Sequence, residues 1–570
     1  MIAPLLTAAS PSIAAGQTPP RAAVAPCTVP GVGAARCGSV EVWENRAAGS
    51  GRKITLRFVV VPATGTASDD PVVPIAGGPG QATIPMASYV AEQFRELRQT
   101  RDILLTDARG TGTSTPIDCR LYGPSLPEYL GAFMPAGRVR RCAGEWAARA
   151  DLARYTTDDA VDDLDDIRAA LGYARLNLYG TSYGTRTALV YMRRHPQHVR
   201  SAILHGVAHT GVRMPSGLAP AAQASLDGVI GDCEREAACN AAFPALRDDL
   251  RAILGRLAAG PVQVTVADAE TGEPVTIPFS RELFAEGLRY MLYTAGNAAL
   301  IPTVLHQGAA GDLGPAAELA FGMRRRIVND GSHGVYLSVT CAEDVPFVDM
   351  DAAVRASRGS FVGDSRLRDQ AAACAAWPSR PVGRAFLEPV RSDVPVLILT
   401  GENDPATPPS QGNEALRTLP NGRHLVIPDG GHGLGGLVGV EPCVSRLMVG
   451  FIRTADAKGL DASCVASVHR IPFRTRPLAT RTVEMSPAEL AAYAGTFSAL
   501  GAPPLETRVE NGRLVAHVQG EGMTMLPVGG NEFRAVGEPD ITVVFARQGG
   551  VATGVTVTGV APEPIVYTRQ

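Results

Sequence analysis

The sequence has few lysines, few aromatic residues and little net charge. Of its 570 residues only Lys53 and Lys458 are lysines, and aromatic residues make up 5%. The net charge is -3, from 53 basic and 56 acidic side chains. A charge so close to zero argues against a protein that binds nucleic acid or an anionic membrane surface. The arginines are scattered along the chain, so they indicate no basic patch.

Long apolar runs and metal-binding motifs are also missing. No stretch reaches the roughly 18 uninterrupted apolar residues of a membrane span, so we expect no transmembrane segment. The ten cysteines contain no C-x-x-C motif and no Cys/His cluster with zinc spacing, which argues against a structural metal. We therefore expect neither a metal nor a cofactor.

The ten cysteines occur mostly in couples that are close in sequence. An even number spread in this way is typical of disulfides in an exported protein, periplasmic or secreted. Ten reduced cysteines in a cytosolic enzyme are the alternative, and sequence alone does not determine the pairing. The couples are Cys27/Cys37, Cys119/Cys142, Cys233/Cys239, Cys341/Cys374 and Cys443/Cys464.

Residues 1–26 are interpreted as a leader or possible signal segment. They are mostly apolar and small, and residues 12–15 (SIAA) resemble a signal-peptide cleavage site. The segment has no basic start, and Pro4 and Pro11 interrupt it, so a disordered leader is the alternative. The Pro/Gly/Ala-rich residues 16–36 are expected to form a loosely held arm.

From about residue 37 short apolar runs alternate with helical periodicity. The β-branched run at 54–61 and the helix pattern at 157–171 are examples. Such alternation is typical of buried parallel strands connected by helices. It stops at about residue 210 and returns at about 394, and the residues between are mainly helical with a possible hairpin at 262–278. A long helical insertion between strands of one sheet predicts a cap over a site.

The final part of the chain differs from the rest. Beyond about residue 480 short alternating strands follow one another, with Asn511-Gly512 and Gly549-Gly550 as plausible hairpin turns. This pattern predicts a small antiparallel β domain beside an α/β core. The predicted divisions are a core at 27–209 and 391–470, a mainly helical cap at 210–390 and a β domain at 480–570.

Residues 180–184 (GTSYG) match the G-x-S-x-G pattern of a nucleophile elbow. A strand pattern precedes them and a helix pattern follows, which is the context that the motif requires. The flanking glycines lack the Cβ atoms that would clash in the sharp turn. The turn presents Ser182 at a helix N-terminus, where negative charge is stabilised. Ser182 is therefore the candidate nucleophile.

The partners of Ser182 are expected after the last two core strands. A serine hydroxyl needs a base that a carboxylate orients, and the chain order in this type of fold is Ser, Asp/Glu, His. Asp404 follows one strand pattern, and His432 lies in the glycine-rich loop after the next. We favour this pair, with Glu402 and Asp429 as rival carboxylates.

Backbone amides are expected to stabilise the oxyanion. The amide of Tyr183, directly after the nucleophile, is one candidate. The other is expected from residues 77–81 (GGPGQ), because glycine lets the backbone approach the substrate. Gly80 or Gln81 is favoured, with Gly78 in the same loop, and a plain Gly/Pro turn is the alternative.

Together these residues resemble the prolyl iminopeptidase and tripeptidyl aminopeptidase family of α/β-hydrolases. The resemblance covers about residues 27–470, and in that family the positions of Ser182, Asp404 and His432 form the triad. Residues 442–464 also look like the C-terminal segment of the tripeptidyl aminopeptidase branch, which is typically exported. The matching segments are 77–80 (GGPG), 107–114 (DARGTGTS), 180–186 (GTSYGTR), 401–408 (GENDPATP) and 430–433 (GGHG).

Some features depart from this pattern or go beyond it. Ala76 stands where the first motif usually has histidine, and residues 490–497 (LAAYAGTF) resemble the start of small lipocalin-like modules appended to serine β-lactamase-like hydrolases. Peptidases of the family bind a free amino terminus with acids from the cap, which makes Glu343 the candidate here. A solvated or salt-bridged acid is the alternative. The acidic run at 158–166 is interpreted as a solvated helix face rather than a metal site.

These inferences predict an exported serine aminopeptidase that removes short N-terminal units or proline from peptides through an acyl-enzyme on Ser182. A carboxylesterase that acts on small esters or amides with the same triad is the alternative, because fold and triad alone do not determine the substrate. A non-catalytic binding protein is disfavoured by the intact Ser, Asp, His order. The expected partner is a small peptide or ester and not a nucleic acid.

Overall fold

A computed structural model describes residues 21–268, 271–329, 331–479, 482–500, 502–518, 521–560 and 564–570. Most of the expected leader lies outside these ranges. The first part of the chain contributes strands β1–β7 and helices α1–α5. The strands are β1 Ala22–Val29, β2 Gly33–Trp43, β3 Lys53–Val61, β4 Val72–Ile75, β5 Ile103–Thr106, β6 Leu176–Thr181 and β7 Val199–His205. The helices are α1 Ala87–Gln93, α2 Leu126–Tyr129, α3 Ala136–Trp146, α4 Thr157–Leu171 and α5 Tyr183–Arg194.

The middle of the chain is helical and carries one antiparallel pair of strands. The hairpin consists of β8 Val262–Ala267 and β9 Pro274–Phe279. The helices before it are α6 Leu218–Arg235, α7 Ala237–Ala242 and α8 Leu246–Ala258. Those after it are α9 Arg281–Met291, α10 Ala295–Ala298, α11 Ile301–Ala309, α12 Gly314–Asn329, α13 His333–Glu343, α14 Met350–Ser357 and α15 Ser365–Ala375.

The remaining elements complete the core and form a second β structure. The core receives β10 Val396–Gly401, α16 Pro409–Leu416, β11 Gly422–Ile427, β12 Leu437–Val438, α17 Arg446–Thr454 and β13 His469–Arg470. The last part contains α18 Pro487–Leu490, β14 Gly495–Ala499, β15 Ala502–Glu510, β16 Arg513–Val518, β17 Glu521–Gly529, β18 Glu532–Ala535, β19 Glu538–Gln548, β20 Val551–Thr558 and β21 Ile565–Arg569.

The core is a mixed sheet that is mostly parallel. In the described part of the chain it has nine strands in the order β1-β2-β3-β5-β4-β6-β7-β10-β11. The β1–β2–β3 meander and the β3–β5 pair are antiparallel, and all pairs from β5 to β11 are parallel. The carboxyl ends of β4, β6, β7, β10 and β11 therefore meet at one edge, where open α/β sheets place their sites.

The C-terminal strands close into a barrel. Within the described residues, β14 to β21 form an eight-stranded antiparallel barrel, with Tyr493, Phe497, Phe533 and Phe545 packed edge to face in its centre. Asn511-Gly512 and Gly549-Gly550 connect neighbouring strands with positive φ angles, as hairpin turns require. The predicted fold class, an α/β-hydrolase core with a mainly helical cap and an antiparallel β domain, is confirmed, and the barrel agrees with the lipocalin-like resemblance.

Part of the expected loose arm is instead well-ordered sheet, which corrects the sequence analysis. Residues 22–29 are the edge strand β1, paired along its length with β2. The Cys27–Cys37 disulfide joins the two strands. Most residues of β1 are exposed, so buried and exposed positions do not alternate clearly along it. The strand therefore lacks the hydrophobic pattern by which strands are recognised in a sequence.

All ten cysteines lie in the described ranges, and they form five disulfides with no free thiol left over. Each disulfide joins a couple that is close in sequence, with partners 6 to 33 positions apart. Short closed loops of this type need little long-range organisation to form. No helix in the described part of the chain is long and apolar enough to cross a membrane.

The acidic run of α4 is a network of ion pairs, so the expectation of a solvated face is wrong. Asp163 is only 2% exposed, and its carboxylate accepts hydrogen bonds from both Nε and Nη2 of Arg109 at 2.7 Å. Arg109 is 1% exposed and also donates to the carbonyl of Arg154. At the surface of the same run, Arg194 binds Asp162. The run therefore attaches α4 to the loop after β5.

The barrel contacts the cap through both charged and apolar residues. Arg534 and Glu318 of α12 form a bidentate ion pair in which both side chains are at most 2% exposed. At the edge, Arg513 binds Glu273 at 2.6 Å. A small apolar cluster adjoins these pairs and consists of Ala267, Leu526 and Val536.

Candidate active site

Ser182 lies in a sharp turn between β6 and α5. Its backbone has φ 54° and ψ -124°, a conformation that residues other than glycine rarely adopt and that stores roughly 1–3 kcal/mol. Its N–H donates to the carbonyl of His205 at 2.9 Å, and its carbonyl accepts from the N–H of Thr185 at 2.9 Å. The turn places Ser182 directly before the first residue of α5, as the nucleophile-elbow motif predicts.

The two glycines of the elbow are required by close backbone contacts. A Cβ on Gly180 would lie 2.5 Å from the carbonyl oxygen of Gly184. A Cβ on Gly184 would overlap the carbonyl oxygen of Ile75 at the end of β4. A side chain at either position would push the elbow away from the sheet.

The carboxylate of Asp404 binds the ring of His432. The Nδ1 of His432 lies 2.9 and 3.0 Å from the two carboxylate oxygens. The same carboxylate accepts the N–H of Ala406 at 2.8 Å, the N–H of Thr407 at 2.9 Å and the hydroxyl of Thr407 at 2.8 Å. Burial acts to raise the pKa of Asp404, but His432 and these hydrogen bonds outweigh it and lower the pKa. Asp404 therefore stays ionised and holds His432 with Nε2 facing away.

The rival carboxylates make other contacts. Glu402 accepts the N–H of Asp429 at 3.2 Å, and Asp429 accepts the N–H of Arg470 at 3.1 Å. Both therefore connect the loops behind the site, and in the described part of the chain neither makes a hydrogen bond or ion pair with His432.

Glycines allow the Asp404 and His432 loops to touch. A Cβ on Gly401 would overlap the carbonyl of Gly431, and a Cβ on Gly431 would lie 2.5 Å from the carbonyl of Leu292. The N–H of Gly433 donates to the carbonyl of Tyr293 at 2.7 Å. The glycine-rich sequence around His432 is thus explained by contacts with β10 on one side and with the cap on the other.

The ring of His432 has two aromatic neighbours, Tyr293 and His205, and neither carries a charge at pH 7. The ring of Tyr293 contacts it edge to face at 4.9 Å between centroids. His205 lies at the end of β7, and burial, helped by the charge of His432, lowers the pKa of His205 to about 4. His205 is therefore neutral at pH 7 and does not repel a protonated His432. The sequence analysis missed His205, although its place at the carboxyl end of a parallel strand could have indicated it.

A cavity of about 1120 Å³ opens above Ser182 and His432. It exceeds the roughly 300–1,000 Å³ of a common small-molecule site. The core contributes the loop after β4 and His205, and the cap contributes residues from α9, α12, α13 and α15. The cap residues include Arg289, Tyr293, Met323, Ile327, Tyr336 and Arg366. Ser182 makes no hydrogen bond to His432 in the described structure, and such contacts are often long before substrate binds.

The structure brings only some of the predicted oxyanion residues to the cavity. Gly78 and Gln81 line it together with Ser182. Gly80 is not among the residues that line it, and its carbonyl accepts the N–H of Ser332 at 2.8 Å. Tyr183 starts α5, where an N–H has no acceptor within the helix. Gly77, which was not singled out, is close to the nucleophile, since a Cβ there would lie 3.0 Å from that of Ser182.

Glu343 lies in the interior and does not line the cavity. It is 0% exposed, and its carboxylate accepts the N–H and the hydroxyl of Thr157, both at 2.7 Å. Arg186 approaches it at 3.6 Å and binds Asp344 at 3.0 Å. The expectation that Glu343 receives a substrate amine does not fit these contacts. Glu343 instead holds the first turn of α4 against the elbow helix.

Within the described ranges one group of side chains could hold a metal ion, but it is separate from the cavity. Asp165, His195 and His198 approach one another closely enough. Asp165 already accepts hydrogen bonds from Arg168 at 2.7 Å and Tyr191 at 2.8 Å. None of these residues is among those that line the cavity.

Comparison with known proteins agrees with this architecture. Residues 70–241 match the family described as "alpha/beta hydrolase fold", and residues 359–464 match that described as "TAP-like protein". The tripeptidyl aminopeptidase of Streptomyces lividans is 27% identical over 473 residues, which cover 75% of this chain and 83% of that protein.

Two mycobacterial relatives are similar over comparable lengths. Serine protease Hip1 of Mycobacterium tuberculosis is 25% identical over 439 residues, covering 69% of this chain and 82% of that protein. Carboxylesterase B of the same organism is 27% identical over 480 residues, covering 75% and 88%. The chain is thus a serine hydrolase of the α/β-hydrolase fold, with the segment of TAP-like proteins in the second part of its core.

Proposed function

We propose that the protein is a serine aminopeptidase with Ser182 as nucleophile, His432 as base and Asp404 as the carboxylate that orients the base. The observation that carries this proposal is the cavity under the cap, which has Ser182 and His432 in its wall and is large enough for a peptide of several residues. The relatives named serine protease and tripeptidyl aminopeptidase support a peptide substrate.

The contacts at the site support a two-step acyl transfer. His432 takes the hydroxyl proton of Ser182 as the oxygen attacks the substrate carbonyl, and the leaving amine receives that proton when the peptide bond breaks. Water then attacks the ester on Ser182, with His432 again as base. The amide of Tyr183 and the loop with Gly78 and Gln81 would stabilise the oxyanion in both steps.

A carboxylesterase is the second candidate. The same triad and oxyanion donors serve esters, and one relative is named carboxylesterase B. The two candidates differ in whether a peptide with a free amino terminus is cleaved.

We also propose that the protein is exported. Five disulfides without a free cysteine are rare in the reducing cytosol and common in the periplasm and outside the cell.

The test is a panel of tripeptidyl, prolyl and acyl-ester chromogens on one preparation. We expect cleavage of an amino-terminal peptide, and loss of at least about 10⁴-fold in kcat for every substrate in Ser182→Ala and in Asp404→Asn. Glu402→Gln is the matched control, because this neighbouring acid makes no hydrogen bond or ion pair with His432 among the described residues. Its kcat should stay within a few-fold of the wild type.

Hydrolysis of esters without any cleavage of peptides would favour the carboxylesterase. Turnover of Ser182→Ala at the wild-type rate would show that Ser182 is not the nucleophile.

A further inference from the structure

Two arginines of the cap face the cavity that contains Ser182. Arg289 belongs to α9 and Arg366 to α15, and both line the cavity. Arg289 is only 4% exposed. A buried cation in a site of this kind needs an explanation, because removing a charge from water is costly unless an anion compensates it.

Neither arginine has an anionic partner in the described part of the chain. Within the described residues no carboxylate lies within 4.0 Å of Arg289 or of Arg366. Glu286 is the acid whose charge acts on both, but its carboxylate binds Arg324 at 2.6 Å. Two other arginines that line the cavity are paired, since Arg95 binds two glutamates and Arg326 binds Glu538.

Aromatic side chains hold both guanidinium groups in place. Arg289 lies over the ring of Tyr290, 4.1 Å from its centroid, and donates to the hydroxyl of Tyr293 at 2.9 Å. Arg366 lies over the ring of Phe133 at 3.3 Å and donates to the hydroxyl of Tyr336 at 3.0 Å. Stacking of this kind orients a planar guanidinium without neutralising it.

Most of the donor capacity of these groups is therefore unused. The hydroxyl of Tyr293 is the only acceptor that Arg289 has among the described residues, and the Nε of Arg366 is buried without an acceptor there. The two cations are also close enough for the charge of Arg289 to act on Arg366. An anion between them would relieve this repulsion and accept the free N–H groups.

We propose that Arg289 and Arg366 bind a carboxylate of the substrate, so that the enzyme prefers substrates that carry a negative charge away from the scissile bond. This inference rests on the proposed function only in taking the Ser182 cavity as the site of acyl transfer. The carboxylate can be the C-terminus of a short peptide or an Asp or Glu side chain, because both present the same planar pair of oxygens.

The test compares each acidic substrate with its neutral amide. In the first pair, one peptide ends in a carboxylate and the other in a carboxamide. In the second pair, one peptide has a Glu side chain where the other has Gln. A third pair consists of the p-nitrophenyl monoesters of glutaric acid and of glutaramic acid, which need no peptidase activity. The quantity measured is the ratio of kcat/KM for the acid to that for the amide, so a general loss of activity cancels.

We expect the wild type to prefer the acid by on the order of tenfold to a hundredfold in at least one pair, since hydrogen bonds to charged groups contribute strongly to binding. Arg366→Gln and Arg289→Gln should bring that ratio close to one, and Arg366→Lys should retain part of it. Arg326→Gln removes a cavity-lining arginine that is already paired, and it should keep the wild-type ratio.

A ratio near one in all three pairs of the wild type would overturn the inference, and so would an equal ratio in the wild type and Arg366→Gln. If no peptide is cleaved but the acidic ester is preferred, the aminopeptidase proposal fails and the carboxylate site stands. If peptides are cleaved without any acid preference, the carboxylate site fails and the aminopeptidase proposal stands.

Discussion

The buried carboxylate of Glu343 shows how one side chain depends on its surroundings. Burial raises the pKa of Glu343 to about 7, although Arg186 and the hydrogen bonds from Thr157 act to lower it. Asp344, buried beside it, also has a raised pKa because of burial. One arginine thus serves two interior carboxylates, and a proton on Glu343 relieves the excess negative charge.

This raised pKa predicts a pH-dependent stability. Between pH 4.5 and about 7 the folded state keeps a proton on Glu343 that the unfolded state has released, so the free energy of unfolding falls as the pH rises. In Glu343→Gln this contribution is absent, and the fall between pH 5 and pH 8 should be smaller than in the wild type. Urea unfolding at the two pH values measures the difference.

An equal fall in both proteins would contradict the raised pKa. The same variant also tests where the residue acts. Because Glu343 does not line the cavity, hydrolysis of peptides and of esters should change by the same factor, whereas a selective loss on peptides would restore it as a ligand for the substrate amine.

At the level of secondary structure, α4 depends on the arginine that the loop after β5 inserts beneath it. Arg109 meets Asp163 with two hydrogen bonds of 2.7 Å, and both side chains are almost fully buried. The matching pair at the surface of the same helix, Arg194 with Asp162, has side chains that are 38% and 22% exposed. Each aspartate has one further partner, Arg46 on Asp163 and His195 on Asp162. The two Arg–Asp pairs therefore differ mainly in burial.

We expect Arg109→Met to lower the free energy of unfolding by about 3 kcal/mol, because it leaves Asp163 buried with less compensation. Arg194→Met should cost less than about 1 kcal/mol, because solvent screens that pair. Urea titrations of the two variants beside the wild type measure both. Equal losses would mean that burial does not decide the contribution of these pairs.

In the whole molecule, the barrel supports one wall of the cavity. Its Arg534 binds Glu318 of α12, and the same helix carries Met323 and Ile327 into the cavity. We therefore propose that the β domain at 480–570 stabilises the cap at 210–390 over the two-part core at 27–209 and 391–470. The contact connects the barrel physically to a helix that lines the cavity.

Arg534→Met should destabilise the protein by about 3–5 kcal/mol, because Glu318 stays buried without its partner, and it should raise the KM for peptides as α12 loosens. Arg513→Met removes an ion pair at the edge of the same interface, where Glu273 is 67% exposed, and should cost less than about 1 kcal/mol. Thermal unfolding and steady-state kinetics measure the two effects. An unchanged KM in Arg534→Met would show that the barrel does not influence substrate binding in the cavity.

Local sequence was sufficient for features that short segments determine. The helix predicted at 157–171 has those bounds in the structure, since Thr156 caps it and Gly172 ends it in a left-handed conformation. Strands without a hydrophobic pattern were missed, among them β15, where Pro503 and Pro504 interrupt it, and the four-residue β18.

The sequence by itself determined the elbow around Ser182, the glycine-rich loop of His432 and the two-part α/β core, because each follows from backbone constraints within a few residues. Only the tertiary structure decided that Asp404 rather than Glu402 meets His432, that Glu343 is interior, and that Arg289 and Arg366 share one cavity. These outcomes depend on which side chains distant segments bring together, and packing, rather than local pattern, decides that.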